Sequence, residues 1–142
     1  GALGIEALSR GAARAVFAER DRAALQALRK NLAALRLPRD RARVVAGDVL
    51  AALPALAGSE SPFDLVFLDP PYVGDAAARA LVALAGSPLV PHGTRIVVQH
   101  AARRAPPVPP GLVPAREPRR FGETTLTFLR AERYTPGGSE DR

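Results

Sequence analysis

Apolar and polar positions change period several times along the chain. Leu3, Ala7 and Leu8 recur at helical spacing, and Gly11 follows as a stop, which predicts a helix over residues 1–10. Residues 14–19 form a short apolar run closed by an acid, the pattern of a buried strand. Asp21 stands where a helix cap is needed, and Leu25, Leu28, Leu32 and Leu35 make one stripe at helical spacing. That helix is expected to reach Leu37, because Pro38 cannot continue it. Residues 43–46 predict a second buried strand, and Gly47-Asp48 leads into a short helix over 49–56. Residues 58–62 read as a loop. The apolar run 63–68 predicts a strand that passes straight into Asp69-Pro70-Pro71-Tyr72. A helix over 75–85 and a β-branched strand over 94–99 follow. Residues 105–118 hold six prolines and read as an irregular connection. Residues 119–121 and 125–129 flank Gly122-Glu123 as a β-hairpin. The tail, 134–142, is polar and rich in Gly and Pro, and is expected to be disordered.

Strands alternating with helices imply an α/β protein: a parallel sheet with helices on both faces, closed by an antiparallel hairpin. Ligands in such sheets bind at the carboxyl ends of the strands. The residues standing just after the predicted strands are Glu19, Asp48 and Asp69, and all three are acidic.

Composition narrows the chemistry. The chain has 142 residues, 47% of them hydrophobic and only 5% aromatic, so Ala and Leu must fill most of a single core. With no Cys, a disulfide scaffold, a zinc–thiolate site and a thiol nucleophile are excluded, as befits a cytoplasmic protein. His92 and His100 lack metal-ligand spacing and read as structural or exposed, so no metal is expected. No apolar run approaches the length of a bilayer span, so no membrane partner is expected either. The formal net charge is +6, but it is unevenly placed: residues 1–43 carry +6, 44–100 carry −3, and 101–133 carry +4. An acidic middle between basic flanks suggests a catalytic centre within a polyanion-binding surface. A compositional bias toward Arg and Ala would produce the same sums.

Each candidate residue has a functional and a plain reading. Gly1 and Gly4 open the first helix, where glycine lets backbone approach a ligand at a positive helix end, or simply starts the helix. Glu19 is placed to accept both hydroxyls of a ribose, or to pair with Arg20 or Arg22. Asp48 can accept from the exocyclic amine of an adenine, or cap the helix that follows. Asp69-Pro70-Pro71-Tyr72 is the strongest signal. Two prolines have no N–H to spend, so an Asp carboxylate and a Pro carbonyl can hold an sp² amine, and Tyr72 offers a flat face to an extruded base. Otherwise it is a strand-end turn. Arg116, Arg119 and Arg120 beside the hairpin turn can grip phosphates, or serve as a solvated basic edge that discourages aggregation. Arg22, Arg29 and Arg36 flank the Leu stripe and read as a solvated helix side.

Acid after one strand, acid after the next and Asp-Pro-Pro-Tyr after a third together resemble an S-adenosylmethionine-dependent amino-methyltransferase. More narrowly, residues 1–11 (Gly-Ala-Leu-Gly-Ile-Glu-Ala-Leu-Ser-Arg-Gly), 63–72 and 120–128 are similar to the RsmD family of 16S rRNA guanine-N2 methyltransferases. The likeness covers roughly residues 1–130. It implies a Rossmann-like class I fold, a mostly parallel seven-stranded sheet with an antiparallel C-terminal hairpin. It implies S-adenosylmethionine as cofactor and rRNA or the assembling small ribosomal subunit as partner, with the enzyme a monomer. It places Gly1 and Gly4 in the methionine-side loop, Glu19 on the ribose, Asp48 and Val49 beside the adenine, and Asp69, Pro70, Pro71 and Tyr72 in the methyl-acceptor pocket. Only the last glycine of the family's cofactor loop is present, as Gly1, so the chain is expected to lack the family's first segment and first strand. The methyltransferase domain is then 1–133. Two rivals share features: a DNA adenine-N6 methyltransferase, which also uses Asp-Pro-Pro-Tyr, and a truncated, non-catalytic RNA-binding domain. A nicotinamide-binding Rossmann protein leaves Asp-Pro-Pro-Tyr unexplained.

Overall fold

The structure is a computed structural model and describes residues 2–70 and 74–132. The expected tail, and the expectations for Gly1, Pro71 and Tyr72, lie outside the described residues. The chain divides into two compact units, Gly1–Ala55 and Leu56–Arg142, each described by itself below.

The first unit is built as helix, strand, helix, strand. α1 (Ala2–Ser9) ends at Gly11, whose φ of 105° only glycine adopts cheaply. β1 (Ala15–Glu19) and β2 (Ala42–Ala46) pair in parallel, with Phe17 opposite Val44 and Glu19 opposite Ala46. Between them runs α2 (Arg22–Leu35), capped by Asp21, whose carboxylate accepts the Ala24 N–H at 2.8 Å. α2 stops two residues before the expected Leu37, because Arg36 turns into the left-handed region at φ 52° and donates its N–H to the Ala33 carbonyl. Leu8, Phe17 and Leu28 form the buried centre, and Ile5, Ala15, Leu32, Leu37, Ala42 and Val44 pack around them. Each large side chain so buried contributes roughly 1.5–3 kcal/mol. Of the Leu stripe, Leu28 is buried and Leu32 packs against the core, while Leu25 and Leu35 are half-buried at its margin.

Two features of this unit were not legible in the pattern. Gly4 sits where α1 meets β1: a Cβ there would overlap the Phe17 ring at Cε1, closer than real Cβ contacts come. Its lack of a side chain is a packing requirement. Arg41 reaches back to the end of α1, its Nη2 donating to the carbonyls of Ala12 (2.6 Å) and Leu8 (3.3 Å) and its Nε to Ala13 (3.2 Å). A guanidinium there satisfies carbonyls that the helix leaves open.

α3 (Val49–Ser59) runs three residues past the expected Leu56, and carries Pro54 inside it. The second unit then holds β3 (Leu65–Leu68), α4 (Ala76–Ala85), β4 (Arg95–Ala101), β5 (Leu112–Phe121) and β6 (Thr124–Ala131). The sheet order is β3-β4-β6-β5, with β3 and β4 parallel and the rest antiparallel. Burial alternates along β4: Ile96, Val98 and His100 face inward. With Leu81 and Leu84 of α4 and Leu89, Val90 and Leu129, they make the interior of this unit. Thr94 ties the two parallel strands at their start, its hydroxyl donating to the Phe63 carbonyl at 2.6 Å.

Two expectations need correction. The described residues form six strands in two sheets, of two and four strands, where a single sheet lacking the family's first strand was expected. The antiparallel pairing is that of the C-terminal hairpin: β6 pairs antiparallel with β5 and, at the junction with the parallel strands, with β4. The proline-rich stretch is not irregular to residue 118: β5 begins at Leu112 and includes Pro114 and Pro118. An edge strand tolerates proline because one side of it needs no ladder N–H, and the register slips between Pro114 and Arg116 and again between Arg116 and Arg119. The hairpin turn itself falls at Gly122-Glu123 as read, with Gly122 at φ 62°.

Replacing Gly4 by Val drives a side chain into the Phe17 ring and should lower the unfolding free energy by about 1–3 kcal/mol. Denaturant melts should show this, and Phe17→Leu in the same chain should recover part of the loss by removing the ring edge.

Candidate functional site

In the first unit, parallel pairing brings two carboxylates to one end of a two-stranded sheet. Glu19 is the last residue of β1 and lies opposite Ala46, two residues before Asp48. The Gly47 N–H donates to the Glu19 carbonyl at 2.9 Å, which fixes the chain leaving β2 beside the end of β1. Gly47 makes the turn at φ 145°. Half-buried Glu19 accepts the Asp21 N–H on Oε2 at 3.0 Å, an anchorage in its own loop and not an arginine pair. Exposed Asp48 accepts the Leu50 N–H on Oδ1 at 3.1 Å, while its carbonyl accepts from Ala51 and Ala52. It therefore caps α3, as its plain reading held. In both cases a backbone N–H holds one oxygen, and the other oxygen has no partner among the described residues. Two oriented carboxylates with acceptor capacity left over suit hydroxyl and amine donors. Val49, the first residue of α3, is half-buried and follows Asp48 directly.

In the second unit, Asp69 follows β3 directly and is exposed, with Pro70 half-buried after it. Pro70 lines an open cleft of about 310 Å³ at the carboxyl end of β3 and β4. Gly74 and Asp75 at the start of α4 bound it on one side. Gln99 and Ala101 at the end of β4, and Arg104 and Pro106 beyond it, bound it on another. Gln99 and Arg104 escaped the sequence reading. The signal was available, since both stand at or just past a strand end, but neither is acidic. His100 points inward, its ring nitrogens 2.6 Å from Thr127 Oγ1 and 2.8 Å from the Ala101 carbonyl oxygen, so it is structural, while His92 is exposed. Among the described residues no group of His, Cys, Asp and Glu could hold a metal ion, and no helix is long and apolar enough to cross a membrane.

Arg116, Arg119 and Arg120 are all exposed on the edge strand β5. Arg116 lies over the Phe128 ring, with Cζ 4.9 Å from the centroid, and Arg119 over Phe121 at 5.5 Å. Arg120 spends its Nε on the Gly122 carbonyl at 2.9 Å.

A family model described as Conserved hypothetical protein 95 (Cons_hypoth95) matches residues 1–130. The chain belongs to this family. Among curated proteins similar to this Cons_hypoth95 chain is the ribosomal RNA small subunit methyltransferase D of Escherichia coli (strain K12). It is 50% identical over 72 residues, which is 51% of this chain and 34% of that protein. Matches to the curated relatives span less than half of each relative's length, 34–45%. Among solved structures, a hypothetical protein from Thermus thermphillus superposes with a TM-score of 0.71 at 35% identity, over 90% of this chain and 68% of that one. SMU.776, solved in complex with SAH, shares the fold alone, with a TM-score of 0.64 at 10% identity over 92% of this chain and 42% of that one.

Asp48→Ala should cost about 1 kcal/mol through loss of the α3 cap, and Asp48→Ser should restore most of it. Thermal melts of the two variants check this. Ligand affinity that falls equally in both variants would separate the carboxylate's reach from its capping.

Proposed function

We propose that this chain carries out transfer of a methyl group from S-adenosylmethionine to the exocyclic N2 amine of a guanine in 16S rRNA. Membership of the Cons_hypoth95 family over residues 1–130 carries the reading, together with the name of the rRNA methyltransferase relative. That name also favours rRNA over the DNA adenine-N6 alternative.

The carboxylates of the first unit support the cofactor assignment. Glu19 would accept the ribose hydroxyls and Asp48 the adenine amine, each through the oxygen its backbone N–H leaves over, with Val49 alongside. Gly1 and Gly4 would belong to the methionine-side loop, although the proximity of Phe17 already requires glycine at position 4. When bound, S-adenosylmethionine supplies an electrophilic methyl group. The protein's work is then positioning, which costs entropy in advance and removes it from the barrier. Asp69 and the Pro70 carbonyl would accept the two N–H bonds of the base amine, aim its lone pair, and balance the charge as a proton leaves. Pro71 and Tyr72 would complete that pocket and receive the unstacked base. None of these roles needs a metal. The working domain would be 1–133, acting as a monomer on rRNA or on the assembling small subunit in the cytoplasm.

Asp69→Ala should abolish methyl incorporation into rRNA while S-adenosylmethionine still binds. Full activity in that variant overturns the acceptor role. Glu19→Ala should weaken S-adenosylmethionine binding by about 1–3 kcal/mol in calorimetry, the scale of lost charged hydrogen bonds. Unchanged affinity overturns the ribose contact.

A further inference from the structure

Strand register in the four-stranded sheet says which residues stand together on its less buried face. Cross-strand partners share a face. Gln99 of β4, Leu126 of β6 and Arg119 of β5 therefore form one row across the sheet. Val97, Phe128 and Arg116 form the row on one side of it, and Ala101, Thr124 and Phe121 the row on the other. Ile96, Val98 and Leu129, which alternate with them, point into the buried interior.

On this face each arginine is parked on an aromatic ring, Arg116 on Phe128 and Arg119 on Phe121. Stacking uses the flat face of a guanidinium and leaves its N–H edge available to an anion. Neither arginine has a hydrogen bond or ion pair among the described residues. Phe121, 56% exposed at the tip of the hairpin, leaves a ring face open beside these cations. More cations gather at the same end. The Ala102 N–H donates to the Glu123 carbonyl at 2.8 Å, which sets exposed Arg103 and Arg104 beside the hairpin turn. Arg104 and Gln99 both line the cleft that Pro70 enters.

Protection of an edge strand from aggregation does not account for this. Pro114 and Pro118 already interrupt its pairing edge, and a protective charge needs no ring beneath it. Aromatic rings set beside cations are what a single-stranded polyanion with exposed bases requires. A duplex hides the base faces, and a protein or lipid anion has none to offer.

We propose that this face holds single-stranded RNA next to the target nucleotide, with Phe121 stacking on one base and Arg116 and Arg119 gripping phosphates. The Gln99 row carries the strand toward the cleft. The proposal rests on the rRNA reading above and names where that substrate lies.

The test uses the full chain and a fluorescent, unstructured RNA of about 12 nucleotides, within the span such surfaces cover. A hairpin-free RNA duplex of equal length is the control. Phe121→Ser should weaken single-strand binding on the order of tenfold while changing duplex binding little. Arg116→Gln with Arg119→Gln should weaken it comparably, and should make the slope of log K against log salt shallower by roughly 0.7 for each phosphate no longer gripped. Thermal melts matching the parent exclude unfolding, and all three positions are exposed enough to expect that. Unchanged affinity and slope in both variants overturn the proposal, as does an equal loss on the duplex, which marks a nonspecific basic patch. The two readings separate cleanly. Normal methylation of rRNA by variants with unchanged binding sinks the surface and leaves the activity. Lost RNA binding in a chain that transfers no methyl to rRNA leaves the surface and sinks the activity.

Discussion

Because β1 and β2 run parallel with Glu19 opposite Ala46, the chain must leave both strands on the same side of the sheet. Much else in the first unit follows from that pairing. A parallel pair cannot be closed by a tight turn, so a crossover helix has to carry the chain back. α2 does so, and its Leu28 and Leu32 pack against residues of the strands it connects. The strand ends are then freed for polar residues, and both receive a carboxylate. The same pairing of β3 with β4 in the second unit sets Pro70 and Gln99 around one cleft.

Those carboxylates have two uses at once. A turn that starts a helix leaves backbone N–H groups without partners, and Asp21 and Asp48 each supply one acceptor oxygen. Glu19 does the same for its own loop. The structural bond does not compete with ligand binding, since a carboxylate has two oxygens and the bond occupies one. It also removes side-chain freedom before any ligand arrives, so less entropy remains to be lost on binding. Structural and functional readings of these residues are therefore compatible, and substitution alone mixes them unless the cap is preserved.

What could be read from the chain divides along physical lines. Helices and strands of the first unit were legible because their apolar periods are clean and their ends carry Asp21, Gly11 and Pro38. The acids past the strand ends were legible for the same reason. Gly4 was visible as a glycine, but its contact with Phe17 depends on how closely a helix approaches a strand, which no local pattern states. Arg41 reaches a helix end about thirty residues away in the chain, and only tertiary structure reveals it. The start of β5 was missed because proline argues against a strand, and that argument fails at an edge, where sheet order removes the need for an N–H on one side.

That edge shows how one physical requirement can prepare another function. A strand with an open side must be kept from pairing with other chains, and prolines, register slips and arginines all do this. Proline and slippage act on the backbone and leave the side chains free. The arginines are then surplus to protection. Over Phe128 and Phe121 each guanidinium loses little by being exposed, because the ring shields one face while water or an anion satisfies the edge. Phe121 keeps much of its ring open to solvent beside Arg119, so it adds little to stability and leaves a face available. A ring left open beside the hairpin turn, with Arg119 stacked on it, is consistent with something that covers it in use.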